Sequence, residues 1–212
     1  MGWTNDSSAG GEASTAIGVN AIVSEQAHSG VALGHATRVE GVSSIAIGHG
    51  AQALGDQSIS IGKGNIVRGN NSGAFGDPSI IDGSNSYSVG NNNTVTTDDT
   101  FVLGNDVTQT VEGSVVLGSK SAATTGKDQI GYALSKASAV DIAAINATTS
   151  TTGAVAVGDA ANGVFRQITG VAAGTRDSDA VNVAQLKLVG NQVQSTQQSL
   201  VNSLGGGASV ND

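Results

Sequence analysis

The sequence predicts a mainly β chain built as a parallel β-solenoid, and three observations carry that reading. Glycines recur at a fixed interval, the residues before each alternate apolar-small-apolar, and the composition suits thin coils. Gly18, Gly34, Gly48, Gly62, Gly76, Gly90, Gly104 and Gly118 are spaced by 16 and then six times by 14. Each closes a motif such as Ile45-Ala46-Ile47-Gly48 or Phe101-Val102-Leu103-Gly104, whose period of two is that of a strand. A unit this short cannot bury its apolar face alone, so successive units must stack.

Composition agrees. Glycine is 31 of 212 residues, aromatics are 3%, proline occurs once and cysteine not at all. The missing cysteine excludes disulfides, thiolate metal sites and thiol nucleophiles. Scarce proline excludes collagen, and Val and Ile throughout oppose disorder. Of the net charge of −8, all lies in residues 1–118, which hold 11 acidic residues against Arg38, Lys63 and Arg68. Such a surface repels nucleic acid and anionic lipid. No run of 18 apolar residues occurs, and no secretory leader is recognisable at Met1.

Other rows keep the register over residues 1–118. Ser14, Ser44, Ser58, Ser72, Ser86, Thr100 and Ser114 each precede the glycine by four. Val23, Val39, Ala53, Val67, Ile81 and Val95 follow it by five, and Gly41, Gly55, Gly69 and Gly83 by seven. Each unit therefore reads strand, turn, strand, turn, with glycines expected to supply positive-φ corners. Eight coils at ~4.8 Å give an axis of roughly 38 Å. A bulky row (Ile17, Leu33, Ile47, Ile61, Phe75, Val89, Leu103, Leu117) and a small row (Ala16, Ala32, Ala46, Ser60, Ala74, Ser88, then Val102 and Val116) must face opposite sides. The pattern leaves open which row faces the interior and which a partner. So thin a core calls for oligomerisation along the axis. The first coil departs from the rest in length and in Gly30, where serine recurs elsewhere.

From Ser119 the period is lost. Ile130, Leu134, Ala137, Val140 and Ala144 predict a helix over Lys127–Asn146, and Val155-Ala156-Val157-Gly158 predicts one further strand. Leu186, Val189, Val193, Thr196 and Leu200 alternate spacings of 3 and 4, a heptad seam. Asp179 is placed to N-cap that helix and Gly205-Gly206-Gly207 to end it.

The repeats, as in Ser44-Ile45-Ala46-Ile47-Gly48, resemble the head repeats of YadA-like trimeric autotransporter adhesins. The run RQITGVAAGTRDSDAVNVAQL, Arg166 to Leu186, resembles their neck, residues 119–152 their head insert motif, and Gly205 to Asp212 a stalk continuation. The resemblance implies a left-handed parallel β-roll head over 1–118, three side by side in a homotrimer. It further implies an insert with one repeat-like strand over 119–162, a neck over 163–185, a coiled-coil stalk from 186 to 204 and a stalk fragment over 205–212. It implies trimer contacts at Arg166, Ile168, Val171, Arg176, Asp177, Asp179, Val181, Val183, Leu186, Val189, Val193 and Leu200, the charged members as intersubunit ion pairs. The function implied is attachment to host matrix, host cells or other bacteria, without cofactor or catalysis. The implied location is the surface of a Gram-negative bacterium, held by a C-terminal outer-membrane barrel outside this sequence, the chain being a piece of a longer fibre. A spacer without a ligand of its own and a polysaccharide-active β-helix enzyme are the alternatives.

The remaining candidates are few. His35 and His49 each follow a repeat glycine one coil apart, so stacking puts their rings about 5 Å apart. That spacing suits a metal or pH site, yet Lys63, Asp77, Asn91 and Asn105 occupy the same column, which reads as a polar turn. His28 has no partner in the register. Asp98 and Asp99 read as exposed turn acids, because no calcium-binding nonapeptide accompanies them. Asn91, Asn92 and Asn93 are set to stack with Asn105 as an asparagine ladder. Trp3 reads as a packing residue. No nucleophile–base–acid set or phosphate-binding loop is present.

Overall fold

A computed structural model of the chain describes residues 6–205; Trp3 and all but Gly205 of the stalk continuation expected over 205–212 lie outside them. In chain order the strands are β1 (Ser8–Ala9), β2 (Thr15–Ile17), β3 (Ile22–Val23), β4 (Val31–Leu33), β5 (Arg38–Val39), β6 (Ile45–Ile47), β7 (Gln52–Ala53) and β8 (Ile59–Ile61). They continue as β9 (Ile66–Val67), β10 (Gly73–Phe75), β11 (Ser79–Ile81), β12 (Tyr87–Val89), β13 (Asn93–Val95), β14 (Phe101–Leu103), β15 (Val115–Leu117) and β16 (Val155–Ala156). The odd-numbered strands from β1 to β13 form a seven-stranded sheet. The even-numbered ones, with β15, form a nine-stranded sheet. Every neighbour is parallel and one coil away, Ile45 opposite Ile59 and Ala46 opposite Ser60. The solenoid is therefore as the period predicts. At its end Val115 pairs with Val155, so the intervening residues leave the stack and return to it.

The small row faces the interior. Ala32, Ala46, Ser60, Ala74, Ser88, Val102 and Val116 are fully buried, as are Val23, Val39, Ala53, Val67, Ile81 and Val95 from the opposite sheet. Coils of 14 residues leave room between the sheets for nothing bulkier than this. The interior row enlarges to Val102 and Val116 beyond the last strand of the seven-stranded sheet, where Val107 and Ala123 join the core.

The buried serines complete the backbone ladder at one corner. The Ser44 hydroxyl accepts from the Ser58 amide at 2.9 Å and donates to the Gly55 carbonyl at 2.8 Å. Ser72 repeats this with Ser86 and Gly83, and Ser86 with Thr100 and Thr97. These peptide groups have no strand partner, and burying them unpaired would cost about 1–3 kcal/mol each. Gly30 replaces serine where the Val23 and Val39 methyls crowd in, both about 3 Å from where a Cβ would stand (2.9 and 3.0 Å).

The first glycine row supplies the expected positive φ, as at Gly18, Gly34, Gly62, Gly76 and Gly90, while the second row answers close approach alone. Gly48 has φ 123°, but a Cβ on it would also collide with the Gly62 carbonyl. Gly41 has no positive φ and is needed only because the Gly55 carbonyl lies against it. The left-handed corners near φ 55° fall mostly on other residues, Asn20, Asn71, Asn85, Asn92, Asp99 and Asp106 among them. Asn and Asp tolerate that region better than other side chains.

Two helical expectations need correction. The helix expected over Lys127–Asn146 is confined to α1 (Ala139–Asn146). Ser138 starts it through a capping box: its hydroxyl accepts from the Asp141 amide and the Asp141 carboxylate accepts from the Ser138 amide. Gly131 sits in the preceding irregular stretch, where helix propensity is poor. The second helix, α2 (Val183–Leu204), is capped by Asn182 rather than Asp179. The Asp179 carboxylate instead accepts from the Thr175 and Arg176 amides at 2.9 and 3.0 Å, closing a turn of its own. The chain divides into two units between Arg166 and Gln167. Among the described residues no helix is long and apolar enough to cross a membrane.

Candidate functional site

Strand alternation forces the consequence of an interior lined by small residues. Their neighbours on both sides point outward, so the outer face of the nine-stranded sheet is apolar. Ile17 is 59% exposed, Leu33 42%, Phe101 45% and Leu103 50%. Val31, Ile45, Ile59, Tyr87 and Val115 stand half-buried beside them. A continuous apolar stripe of this length marks an interaction surface rather than chance exposure. The outer face of the seven-stranded sheet is mixed, with Arg38 paired to Glu40 and Arg68 to Asp82 at 2.7 Å. These are the ion pairs among the described residues.

Arg166 sits at the end of the solenoid. Its guanidinium donates to the Ser121 hydroxyl at 2.9 Å, the Val157 carbonyl at 2.7 Å and the Ser119 carbonyl at 2.7 Å. It thus binds neutral oxygens of its own chain, where the resemblance implies an ion pair.

In the second unit, the segment before α2 is held by an amide clamp. Gln185 accepts from the Gly174 amide at 3.0 Å and donates to the Gly174 carbonyl at 2.9 Å. Asn182 donates to the Val171 carbonyl at 3.3 Å while capping the helix. The heptad pattern does not single out these two residues, but the Asn-x-x-Gln spacing is a capping-box signal that would. Ile168, Val181, Val183, Leu186, Val189, Val193 and Leu200 all remain more than half exposed in the single chain. Val171 is half-buried. The Asp179 carboxyl is held below the usual aspartate range by the Thr175 amide and then the Arg176 amide. Asp141 is held down likewise by the Ser138 hydroxyl and amide.

The polar columns resolve into two functions. The Asp77 amide donates to Asn91 Oδ1 and the Asn91 amide to Asn105 Oδ1, both at 2.8 Å. That is the asparagine ladder, although Asn93 turns inward and is buried. Asp98 accepts from the Ser84 amide at 2.8 Å and Asp99 from the Asn85 side chain at 3.1 Å, so both acids serve as rungs. His28 does have a partner: its Nδ1 accepts from the Glu12 amide at 3.1 Å. His35 and His49 stack with centroids 4.9 Å apart and planes within 5°. Among the described residues no cluster of three or more His, Asp or Glu side chains is set to hold a metal ion.

Comparison with known proteins agrees with this geometry. Residues 9–37 and 40–65 match the YadA head domain repeat, and 167–211 match the coiled stalk of trimeric autotransporter adhesin. The chain is 80% identical over its whole length to trimeric autotransporter adhesin AtaA of Acinetobacter sp. (strain Tol 5), spanning 6% of that protein. A stretch of 38 residues is 68% identical to autotransporter adhesin BadA of Bartonella henselae, 18% of this chain and 1% of that one. Among solved structures, the collagen-binding domain of Yersinia adhesin YadA aligns over 85% of this chain and 86% of that one, at 26% identity and TM-score 0.44. A C-terminal YadA-like domain from Burkholderia pseudomallei aligns over 68% and 60% respectively, at 24% identity and TM-score 0.40. With a parallel β-solenoid carrying head repeats and a heptad helix matching the stalk, the chain belongs to the trimeric autotransporter adhesins.

Proposed function

We propose that this chain is an adhesive passenger segment that works as a homotrimer on the surface of a Gram-negative bacterium. The observation that carries the reading is the apolar outer face of the nine-stranded sheet, which the single chain leaves in water. Three copies of that face cover one another, and the seam Leu186, Val189, Val193 and Leu200 closes in the same assembly as a coiled coil. The neck residues Ile168, Val171, Val181 and Val183 join these two contacts. Among the described residues Arg176, Asp177 and Asp179 make no ion pair, and we assign them to the neck contacts between subunits. The whole-length identity to a trimeric autotransporter adhesin supports both the trimer and the surface location.

The trimer presents the mixed outer face of the seven-stranded sheet and the acidic turns outward. Basic surfaces of matrix or cell-surface proteins, or of other bacteria, are the partners that fit, bound in a salt-dependent way. Three heads convert weak contacts into avidity. Neither catalysis nor a cofactor enters this reading. The test is saturable binding of the purified trimer to immobilised collagen, fibronectin and laminin. Binding that weakens with salt, and is lost in a Leu186→Asp, Val193→Asp double variant that no longer trimerises, is the expected result. No saturable binding to any of the three, with the trimer intact, favours the spacer.

A further inference from the structure

The His35 and His49 stack differs from the rest of its column. Below it, Asp77, Asn91 and Asn105 lie along the corner, and the side chains of Asn91 and Asn105 accept backbone N–H groups. The imidazoles are instead exposed, parallel within 5° and one coil apart at 4.9 Å. Their surroundings are open. Each follows a glycine, and the next residues are Ala36 and Gly50. A Cβ added to Gly50 would find nothing closer than the Gly64 Cα at 4.0 Å.

We propose that His35 and His49 form a two-imidazole site for a divalent transition-metal ion of the copper, nickel or zinc class. The two rings stand face to face, one coil apart, on the same exposed corner. Metal–imidazole bonds of ~2.0–2.1 Å span at most about 4.2 Å between two nitrogens. Because the stacked rings hold their in-plane lone pairs parallel, each must swing well out of the stack to meet one ion, and the exposed flank at Ala36 and the open space at Gly50 leave room for it. Two imidazoles match the ligand preference of these ions over calcium or magnesium. Among the described residues no third His, Asp or Glu side chain converges, so water completes the coordination sphere and the ion is exchangeable. Lys63, next in the column, and Val19, before it, supply no further ligand. The pair sits on a rigid sheet corner, so the second imidazole is held at high effective concentration once the first has bound.

The experiment is titration of the tag-free chain with Cu²⁺ alone, followed by calorimetry and by electron paramagnetic resonance. The expected result is one Cu²⁺ per chain with two equatorial imidazole nitrogens. His35→Asn and His49→Asn should each weaken binding at least about tenfold, while His28→Asn stays within about twofold. Asparagine occupies the same column at Asn91 and Asn105, so both variants keep the turn and an unchanged melting curve verifies it. Absence of binding, wild-type affinity in either single variant, or a spectrum with one nitrogen overturns the assignment.

Discussion

The Arg166 guanidinium lies over Gly118: a Cβ on that glycine would stand 2.8 Å from the guanidinium carbon and 2.9 Å from Nε. In every earlier coil the corresponding glycine faces the backbone of the glycine one coil on, as Gly104 faces Gly118. Arg166 therefore takes the place that the next repeat glycine holds in the earlier coils, at the end where β16 pairs as the last strand. Terminal units of a solenoid need such a cap, because their outer edge has no neighbour.

Removing the cap loosens the last coils. Arg166→Ala should cost about 1–3 kcal/mol, since the carbonyls of Val157 and Ser119 lose a charged donor. Arg166→Lys should recover only part of this, because an ammonium lacks the planar fork. Urea unfolding at fixed protein concentration measures the loss. Amide exchange at residues 117–121 should accelerate more than exchange in β4 or β6; uniform acceleration would contradict a local cap.

Two glycines separate close approach from backbone conformation. Gly55→Ala drives a methyl into the carbonyls of Gly69 and Arg68, and backbone must move, with an expected loss of about 3 kcal/mol or more. Gly50→Ala meets open space but keeps φ at 69°, so about 1–2 kcal/mol is expected. Thermal melts of the two variants rank them, and a reversed order would show that crowding is not what the second glycine row answers.

Two serines in one row should behave oppositely. Ser72→Ala strips the Ser86 amide and the Gly83 carbonyl of their partner, at about 1–3 kcal/mol. The Ser58 hydroxyl is buried and makes no hydrogen bond, so Ser58→Ala should be neutral or stabilising. Equal destabilisation of both variants would mean that serine serves only to fill volume.

The repeat is legible in sequence because it is enforced by geometry at every coil. Glycine at 14-residue intervals and the apolar-small-apolar motif follow directly from stacking, and both sheets appear where the rows place them. Which row faces inward is decided by the width between the sheets, a three-dimensional quantity that alternation alone does not contain. The resemblance assigns Arg166 to the neck, and its capping contacts are not visible in sequence because its partners Ser119 and Ser121 lie 47 and 45 residues away. The extent of α1 followed the Ser138–Asp141 box rather than the apolar spacing, since capping fixes a start where periodicity only suggests a face.

Acid should act late on the turn before α2. The Asp179 carboxyl is held below the usual range, so its folded pKa lies under the unfolded value of ~3.9. Its contribution is therefore fully present above that unfolded value and disappears as pH falls through the lower folded one. A carboxyl-carbon NMR titration should give Asp179 a midpoint below that of an unfolded-chain aspartate. A midpoint at or above it would mean that the Thr175 and Arg176 amides do not hold the carboxylate.

In the proposed assembly the apolar face of the nine-stranded sheet and the seam of α2 are contacts between copies of this chain. Sedimentation equilibrium tests it most directly. The expected species has three times the 20.7 kDa chain mass, lowered by Leu186→Asp with Val193→Asp because charge enters the seam. A single 20.7 kDa species across the concentration range would contradict it.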